Sequence, residues 1–229
     1  MRVLAVDTSS ERGSVCVTDG GQILGEIRLA SSVQYSERLF RSVEFIFRHL
    51  PFQLSDIDLF AAARGPGSFT GLRVGLAAMD AFAGAHHKRG AGVSTLEALA
   101  WKTGIHEVLI APIIDARRGD IYAALYRRRI ARGESTETLV EERPPVVLKP
   151  AQWLTALPPE PVIFCGDGVY RYPSLIDGRP EWSIHSMDLY LASTIAELAA
   201  MPNSGPLAPL YVRKTDAEIA FESVGRPNS

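Results

Sequence analysis

The chain has 229 residues, and 24 Lys and Arg stand against 26 Asp and Glu, which gives a formal charge of −2. That balance excludes a protein that holds nucleic acid by bulk charge alone. Two cysteines exclude a disulfide scaffold, and their apolar neighbours predict buried, reduced thiols in a cytoplasmic protein. No apolar run reaches the length of a membrane span, so we expect no membrane partner.

The chain opens with a predicted antiparallel meander. A strand buried on both faces is expected over 3–6, followed by strands over 13–18 and 23–29. Gly20 and Gly21 predict a tight hairpin between the last two.

Two helices follow, on either side of a strand predicted over 57–63. The helix predicted over 35–50 carries an apolar stripe opposite a charged face, where Phe45 stands among the charges. The helix predicted over 70–86 is apolar nearly all round. Small residues recur in it four apart: Gly71 and Gly75, then Ala77, Ala81 and Ala85. Such spacing lets another backbone approach closely, so this helix is covered either by its own fold or by a partner.

The second half repeats the order of strands followed by a helix. Ser94 is predicted to cap a helix that ends near Thr103, with Glu97 completing a capping box. The later predicted strands are 107–114, 120–126, 146–148 and 162–165, and the later predicted helices are 150–157 and 188–201. The arginines of 127–132 and the glutamates of 134–142 are typical of a solvated loop, with an RNA-binding or acidic-partner surface as the alternative.

Four turns have the chemistry of anion-binding sites. Asp7–Ser10 ends the first strand with short polar side chains that suit a phosphate, a metal–phosphate pair or a plain Asx turn. Gly65–Gly71 joins a strand to a helix N-terminus, which favours an anion, although a structural turn explains the same residues. Asp115–Asp120 and Gly166–Gly168 are further turns that suit either a nucleotide or an ordinary loop.

The histidines give little support to a metal site. They are His49, His86, His87, His106 and His185. No two of them are four apart on a helix, as a helical pair of metal ligands requires.

Five blocks in order resemble the bacterial TsaB (YeaZ) family of the actin/sugar-kinase/Hsp70-like superfamily. They are Val3–Ser9, Arg64–Gly75, Gly92–Leu96, Ile114–Arg118 and Leu210–Arg213. The resemblance implies an α/β fold of two lobes (ribonuclease H-like), each a mixed sheet with flanking helices. We expect lobes at 1–103 and 104–213 and a flexible tail at 214–229.

The resemblance also implies a function. It implies a non-catalytic subunit in the synthesis of N6-threonylcarbamoyladenosine at position 37 of tRNA, which binds and activates the transferase TsaD together with the ATPase TsaE. It implies a homodimer in isolation, tRNA contact through the complex, and no metal at the helix over 35–50. In TsaD-like transferases that helix holds a histidine pair, whereas here it holds only His49.

Two sets of site residues follow from the resemblance. The expected partner contacts are Leu39, Val43, Phe45, Ile46, Ser68, Phe69, Thr70, Gly71, Arg73, Gly75, Ala78, Met79 and Phe82. A vestigial site for ATP or ADP at a subunit interface would use Asp7, Thr8, Ser9, Ser10, Asp115, Arg117, Gly166 and Asp167. The alternatives are an active small ATPase or acyl-group kinase of the superfamily, and a tRNA-binding module that uses the 127–132 arginines.

Overall fold

The computed structural model describes residues 1–30, 35–130, 137–172, 179–202 and 204–212, and these form two sheets. The strands of the first are β1 (Arg2–Asp7), β2 (Arg12–Asp19), β3 (Gln22–Ala30), β4 (Leu59–Gly65) and β5 (Arg89–Ser94). Their order is β3-β2-β1-β4-β5, in which β1 pairs antiparallel with β2 and parallel with β4. The predicted meander is confirmed, and both hairpin glycines have positive φ, as the tight turn requires.

Alternation along β1 divides the first core into two layers. Leu4 and Val6 pack beneath α1 (Tyr35–Phe47) and α2 (Phe69–His86). Val3 and Ala5 point to the opposite face, against α3 (Thr95–Lys102) and α6 (Ala192–Ala199). A strand that is apolar at every position is therefore buried from both sides, as the sequence predicts.

The second sheet repeats the order of the first. Its strands are β6 (Leu109–Asp115), β7 (Ile121–Ile130), β8 (Glu137–Leu148), β9 (Val162–Cys165) and β10 (Trp182–Ile184), in the order β10-β9-β6-β7-β8. The remaining helices are a 3₁₀ turn (Leu54–Asp56), α4 (Pro150–Ala156) and α5 (Asp167–Arg171). In both sheets the third, second, first, fourth and fifth strands lie side by side in that order. This duplication agrees with the predicted two-lobed actin/sugar-kinase/Hsp70-like fold.

The C-terminal part of the described chain returns to the first lobe. Helix α6 packs on β1, β2 and β4, and Ala192 N donates to Ser14 Oγ at 3.0 Å. The segment 204–210 then borders the edge strand β5, where Gly92 and Gly205 exchange backbone hydrogen bonds. Residues 192–199 and 204–210 therefore pack on the first lobe, although the expected second lobe includes them. The expected tail, 214–229, lies outside the described residues.

The basic stretch is a second correction. Arg127–Arg129 belong to β7, and Arg127 lies 3.1 Å from Glu142 and 3.0 Å from Glu160. Arg128 is buried on the ring of Trp101 and donates to its carbonyl oxygen at 2.9 Å. These residues are therefore strand residues with paired charges; positions 131–136 lie outside the described residues.

Two smaller expectations are also settled. Both cysteines are buried and free. Among the described residues, no helix is long and apolar enough to cross a membrane.

Candidate functional site

The first strand of each sheet ends in the same turn. Ser9 N donates to Asp7 Oδ1 at 2.9 Å after β1, and Arg117 N donates to Asp115 Oδ1 at 3.0 Å after β6. Each is an Asx turn, in which an aspartate accepts from the backbone two residues later. Because the lobes repeat one topology, the two turns occupy equivalent positions and face each other across the cleft between the lobes.

The surroundings of Asp7 set it apart from an ordinary turn residue. Its side chain is 1% exposed, and among the described residues its Oδ2 has no hydrogen-bond partner. Burial raises the pKa of Asp7 to about 6, opposed by hydrogen bonds to Ser9 and by the charge of Lys102. Asp7 and Thr8 thus lie beneath the floor of the cleft.

The Gly65–Gly71 turn closes over the Asp7 turn. Ser68 N donates to Ser9 O at 2.6 Å, and Thr8 Oγ1 donates to Gly71 O at 2.7 Å. A Cβ at Gly71 would overlap the Thr8 carbonyl oxygen, and one at Gly75 would overlap Thr8 Oγ1. These glycines therefore admit the chain's own backbone to α2, which corrects their assignment to a partner contact.

A cavity of about 1080 Å³ lies between the lobes, above these turns. Of the predicted nucleotide residues it is lined by Ser9, Ser10, Asp115, Arg117 and Asp167. Gly166 does not line it, because this glycine is packed against the backbone of Ile113. The structure therefore gathers five of the eight predicted residues around one cavity and places the other three beside or beneath it.

Opposite charges in this cavity are paired with each other. Arg117 lies 3.8 Å from Asp115 and 3.9 Å from Glu11, and Arg171 lies 4.0 Å from Asp115. Asp167 Oδ1 accepts from Asp115 N at 3.2 Å, and burial raises the pKa of Asp167. Asp115, Asp167 and the hydroxyls could face a magnesium–phosphate group. No group of three or more His, Cys, Asp or Glu spaced to hold a metal ion occurs in the described part of the chain.

The helix at which TsaD-like transferases hold a histidine pair, and at which we expect no metal in this chain, is α1. Helix α1 ends at Phe47, and His49 lies beyond it with Nδ1 2.8 Å from Phe45 O. Since no other histidine of the chain precedes residue 86, a histidine pair cannot form on α1.

Most of the predicted partner contacts are core residues of this chain. The buried ones are Leu39, Val43, Ile46, Gly71, Gly75, Ala78 and Met79. They lie on the inward sides of α1 and α2, so a partner cannot contact them in the folded chain, which differs from the prediction. The others are accessible: Phe82 is half-buried, whereas Ser68, Phe69, Thr70, Arg73 and Phe45 are exposed.

The outward side of α1 and α2 has a different composition from the predicted one. We define the helix face as Phe40, Ala77, Ala81, Gly84 and Ala85, all of which are exposed. The ring of Phe40 is 49% exposed and packs edge-on against Phe82, with 6.0 Å between centroids. The alanine spacing is visible in the sequence. Phe40 is not predicted as a surface residue, because its position places it in the apolar stripe of the helix predicted over 35–50.

Known proteins are similar to this chain in both sequence and fold. The family model described as TsaD, tRNA N6-adenosine threonylcarbamoyltransferase, matches residues 28–202. The protein named tRNA threonylcarbamoyladenosine biosynthesis protein TsaB from Escherichia coli is 36% identical over 162 residues, 68% of each chain. The protein of that name from Bacillus subtilis is 28% identical over 179 residues, 77% of this chain and 76% of the other.

A solved structure agrees. YeaZ from Pseudomonas aeruginosa superposes with a TM-score of 0.74 at 26% identity, over 92% of this chain and 100% of that one. The duplicated strand order, the two facing Asx turns and these matches lead to one conclusion: the chain belongs to the TsaB (YeaZ) family.

Proposed function

We propose that this protein is a non-catalytic subunit for the synthesis of N6-threonylcarbamoyladenosine in tRNA. In this proposal it binds a TsaD-type transferase through the helix face and works with TsaE, in the cytoplasm where tRNA is modified. Two observations support it. The relatives are named for this pathway, and the family model that matches is that of the transferase itself.

The observation that carries the proposal is the helix face. Ala77, Ala81 and Ala85 present only methyl groups along α2, and none of the described residues lies within 4 Å of a Cβ placed at Gly84. A partner helix can therefore approach α2 closely, and Phe40 offers a half-exposed aromatic anchor beside it. Exposed apolar side chains grouped in this way are typical of a protein interface.

Shared ancestry supports a TsaD-type transferase as the partner. A TsaD-type transferase that matches the same family model has equivalent helices, so the two proteins can pair helix face to helix face. The same surface can pair with a second copy of this chain when the transferase is absent, since a twofold interface is self-complementary. Phe45, which is 57% exposed on the opposite side of α1, is a candidate contact for TsaE.

Omission of single components tests the function. Transfer of the threonylcarbamoyl group from its adenylate to an unmodified tRNA is measured with TsaD, TsaE and this protein, and then without each. We expect product only when TsaD and this protein are both present, and none with this protein alone. Efficient modification by this chain alone, or full activity in its absence, would contradict the proposal.

The cavity between the lobes favours a second candidate, a nucleotide site. Asp115, Ser9 and Ser10 line this cavity, at turns that resemble the phosphate loops of the superfamily, and Asp7 lies beneath them. Titration with ATP and magnesium, compared between the wild type and Asp115→Asn, tests this candidate. Micromolar affinity that the substitution abolishes, accompanied by phosphate release, would favour an active ATPase or kinase. The alternative of a tRNA-binding surface at 127–132 is not favoured by Arg127 and Arg128, which are engaged within the second lobe; Arg132 lies outside the described residues.

A further inference from the structure

A second, smaller cavity of about 410 Å³ opens at the mouth of the cleft. It lies between the start of α2, the hairpin after β6 and the segment 209–212. We call it the aromatic pocket, after Phe69, Tyr122 and Tyr211 in its wall. The aromatic pocket adjoins the larger cavity and shares Gly67, Phe69, Ala116, Arg117 and Tyr122 with its lining.

Phe69, Arg73 and Tyr211 form a cluster on one side of the pocket. The guanidinium of Arg73 lies 3.8 Å from the centroid of the Phe69 ring, and its Nη2 is 3.4 Å from the Tyr211 hydroxyl. The two aromatic rings are 6.2 Å apart. Phe69 is 49% exposed and Tyr211 is 53% exposed, so both rings keep open surface next to a fixed positive charge.

The charge of the pocket departs from that of the chain. Arg73, Arg117 and Arg118 line it, and no carboxylate is found among the described residues that do. The nearest acidic partners of Arg117 are Asp115 at 3.8 Å and Glu11 at 3.9 Å, both outside the lining. Arg117 is therefore paired with carboxylates just outside the pocket, and the positive charge beside the aromatic rings is that of Arg73.

Open aromatic rings beside arginines are the combination that binds unpaired nucleotides. A base stacks on an exposed ring, and a guanidinium pairs with the neighbouring phosphate. A free nucleoside triphosphate carries magnesium, and the carboxylates that would meet this ion, Asp115 and Asp167, line the larger cavity and not this pocket. An RNA strand needs no metal at the point of contact, because arginines replace its counterions.

We propose that the aromatic pocket binds an unpaired nucleotide of single-stranded RNA. The choice of RNA rests on the proposed role in tRNA modification, but the site is separate from the helix face. This protein would then contribute a direct contact to the RNA substrate as well as a contact to the transferase. Because the whole chain is slightly acidic, we expect weak, salt-sensitive binding by the isolated protein.

Binding of a fluorescein-labelled ten-nucleotide single-stranded RNA to the full chain tests the proposal. Fluorescence anisotropy is measured at low salt for the wild type, Phe69→Ala, Tyr211→Ala and Arg73→Ala. Arg129→Ala is the matched control, since it also removes one exposed arginine, from β7 of the second lobe. We expect Phe69→Ala and Tyr211→Ala each to weaken binding about tenfold. Arg73→Ala should weaken it by a similar factor, and Arg129→Ala by less than about twofold.

Three results would overturn the proposal. They are no saturable RNA binding by the wild type up to roughly 1 mM protein, equal losses for Arg129→Ala and Arg73→Ala, and displacement of the RNA by micromolar ATP. Circular dichroism verifies that each variant is folded. Transferase binding is measured separately on the same variants, so failure of the RNA site and failure of the proposed function are distinguished.

Discussion

The inner and outer sides of α2 both carry small residues, for opposite reasons. On the inner side Gly71 and Gly75 lie against Thr8, where any side chain would overlap the turn after β1. On the outer side Ala81 and Gly84 are exposed, with open space beyond Gly84. One sequence pattern therefore serves the fold on one side and leaves room for a partner on the other.

A pattern of small residues in a helix therefore does not by itself identify which chain packs against it. A glycine that repeats every four residues shows only that something comes close to the helix. What comes close is decided by the neighbouring chain, which here is the polar turn at the end of β1. Substitutions on the inner side are therefore tested by the free energy of unfolding, and substitutions on the outer side by the affinity for a partner.

The largest effect is expected on the inner side. Gly71→Val places a branched side chain onto the Thr8 carbonyl, so α2 must shift from the sheet. We expect the free energy of unfolding to fall by about 3 kcal/mol, the upper part of the range for overpacking. Urea denaturation measures it. A loss below about 0.5 kcal/mol, as at an unconstrained surface position, would show that α2 does not lie against this turn.

Asp7 lies in the turn that the inner side of α2 helps to bury, so its titration also tests the packing on that side. Its pKa is about 6 in the folded chain, against 3.8 for an ordinary aspartate. The folded chain therefore holds more protons than the unfolded chain between about pH 4 and 6, and its stability falls as pH rises through that window. Asp7→Asn should remove this loss, on the order of 2 kcal/mol at pH 7.

Urea denaturation at several pH values, compared between wild type and variant, measures the Asp7 effect. Asp115→Asn is the matched control from the second lobe. Its carboxylate pairs with Arg117 and Arg171, so its replacement should not stabilise the protein at pH 7. Parallel pH profiles for wild type and Asp7→Asn would contradict the burial of a charged group at this turn.

A smaller effect is expected at the outer side. Gly84→Ala adds a methyl group to open space in a helix, and it reduces the freedom of the unfolded chain. We expect a gain of up to about 1 kcal/mol, measured by the same denaturation. Destabilisation would mean that the outer side is covered by the chain itself.

The sequence predicts the frame of this fold because its signals are local. The positive φ of Gly20 and Gly21 follows from their hairpin, and Ser94 Oγ accepts from Glu97 N as the capping pattern predicts. The extension of β7 and β8 is missed, because their charged side chains resemble those of a solvated loop. In the folded sheet these charges pair across the strands, as Arg127 does with Glu142, and this pairing is not visible in the sequence.

The candidate sites are predicted in part for the same reason. Asp7 and Asp115 are visible as strand-ending turn residues, and the fold brings them to one cleft. The outward side of α2 is predictable only in part, because Arg73 and Asp80 mark an exposed strip, whereas the rest of the helix is apolar and does not show which small residues are covered. Neither is the aromatic pocket, since Phe69 and Tyr211 are 142 positions apart and meet only through the return of the chain to the first lobe.

We propose above that the outward side of α2 binds the transferase, and a charge placed on that side tests this directly. Ala81→Arg places a long charged side chain on the helix face, and Ala151→Arg places one on an exposed position of α4 as the control. Both should change the stability by less than about 0.5 kcal/mol. Each variant is titrated into TsaD in a calorimeter beside the wild type. We expect Ala81→Arg to bind TsaD at least about tenfold more weakly than the wild type, and Ala151→Arg to bind as the wild type does. Wild-type affinity of Ala81→Arg would contradict binding through the outward side of α2.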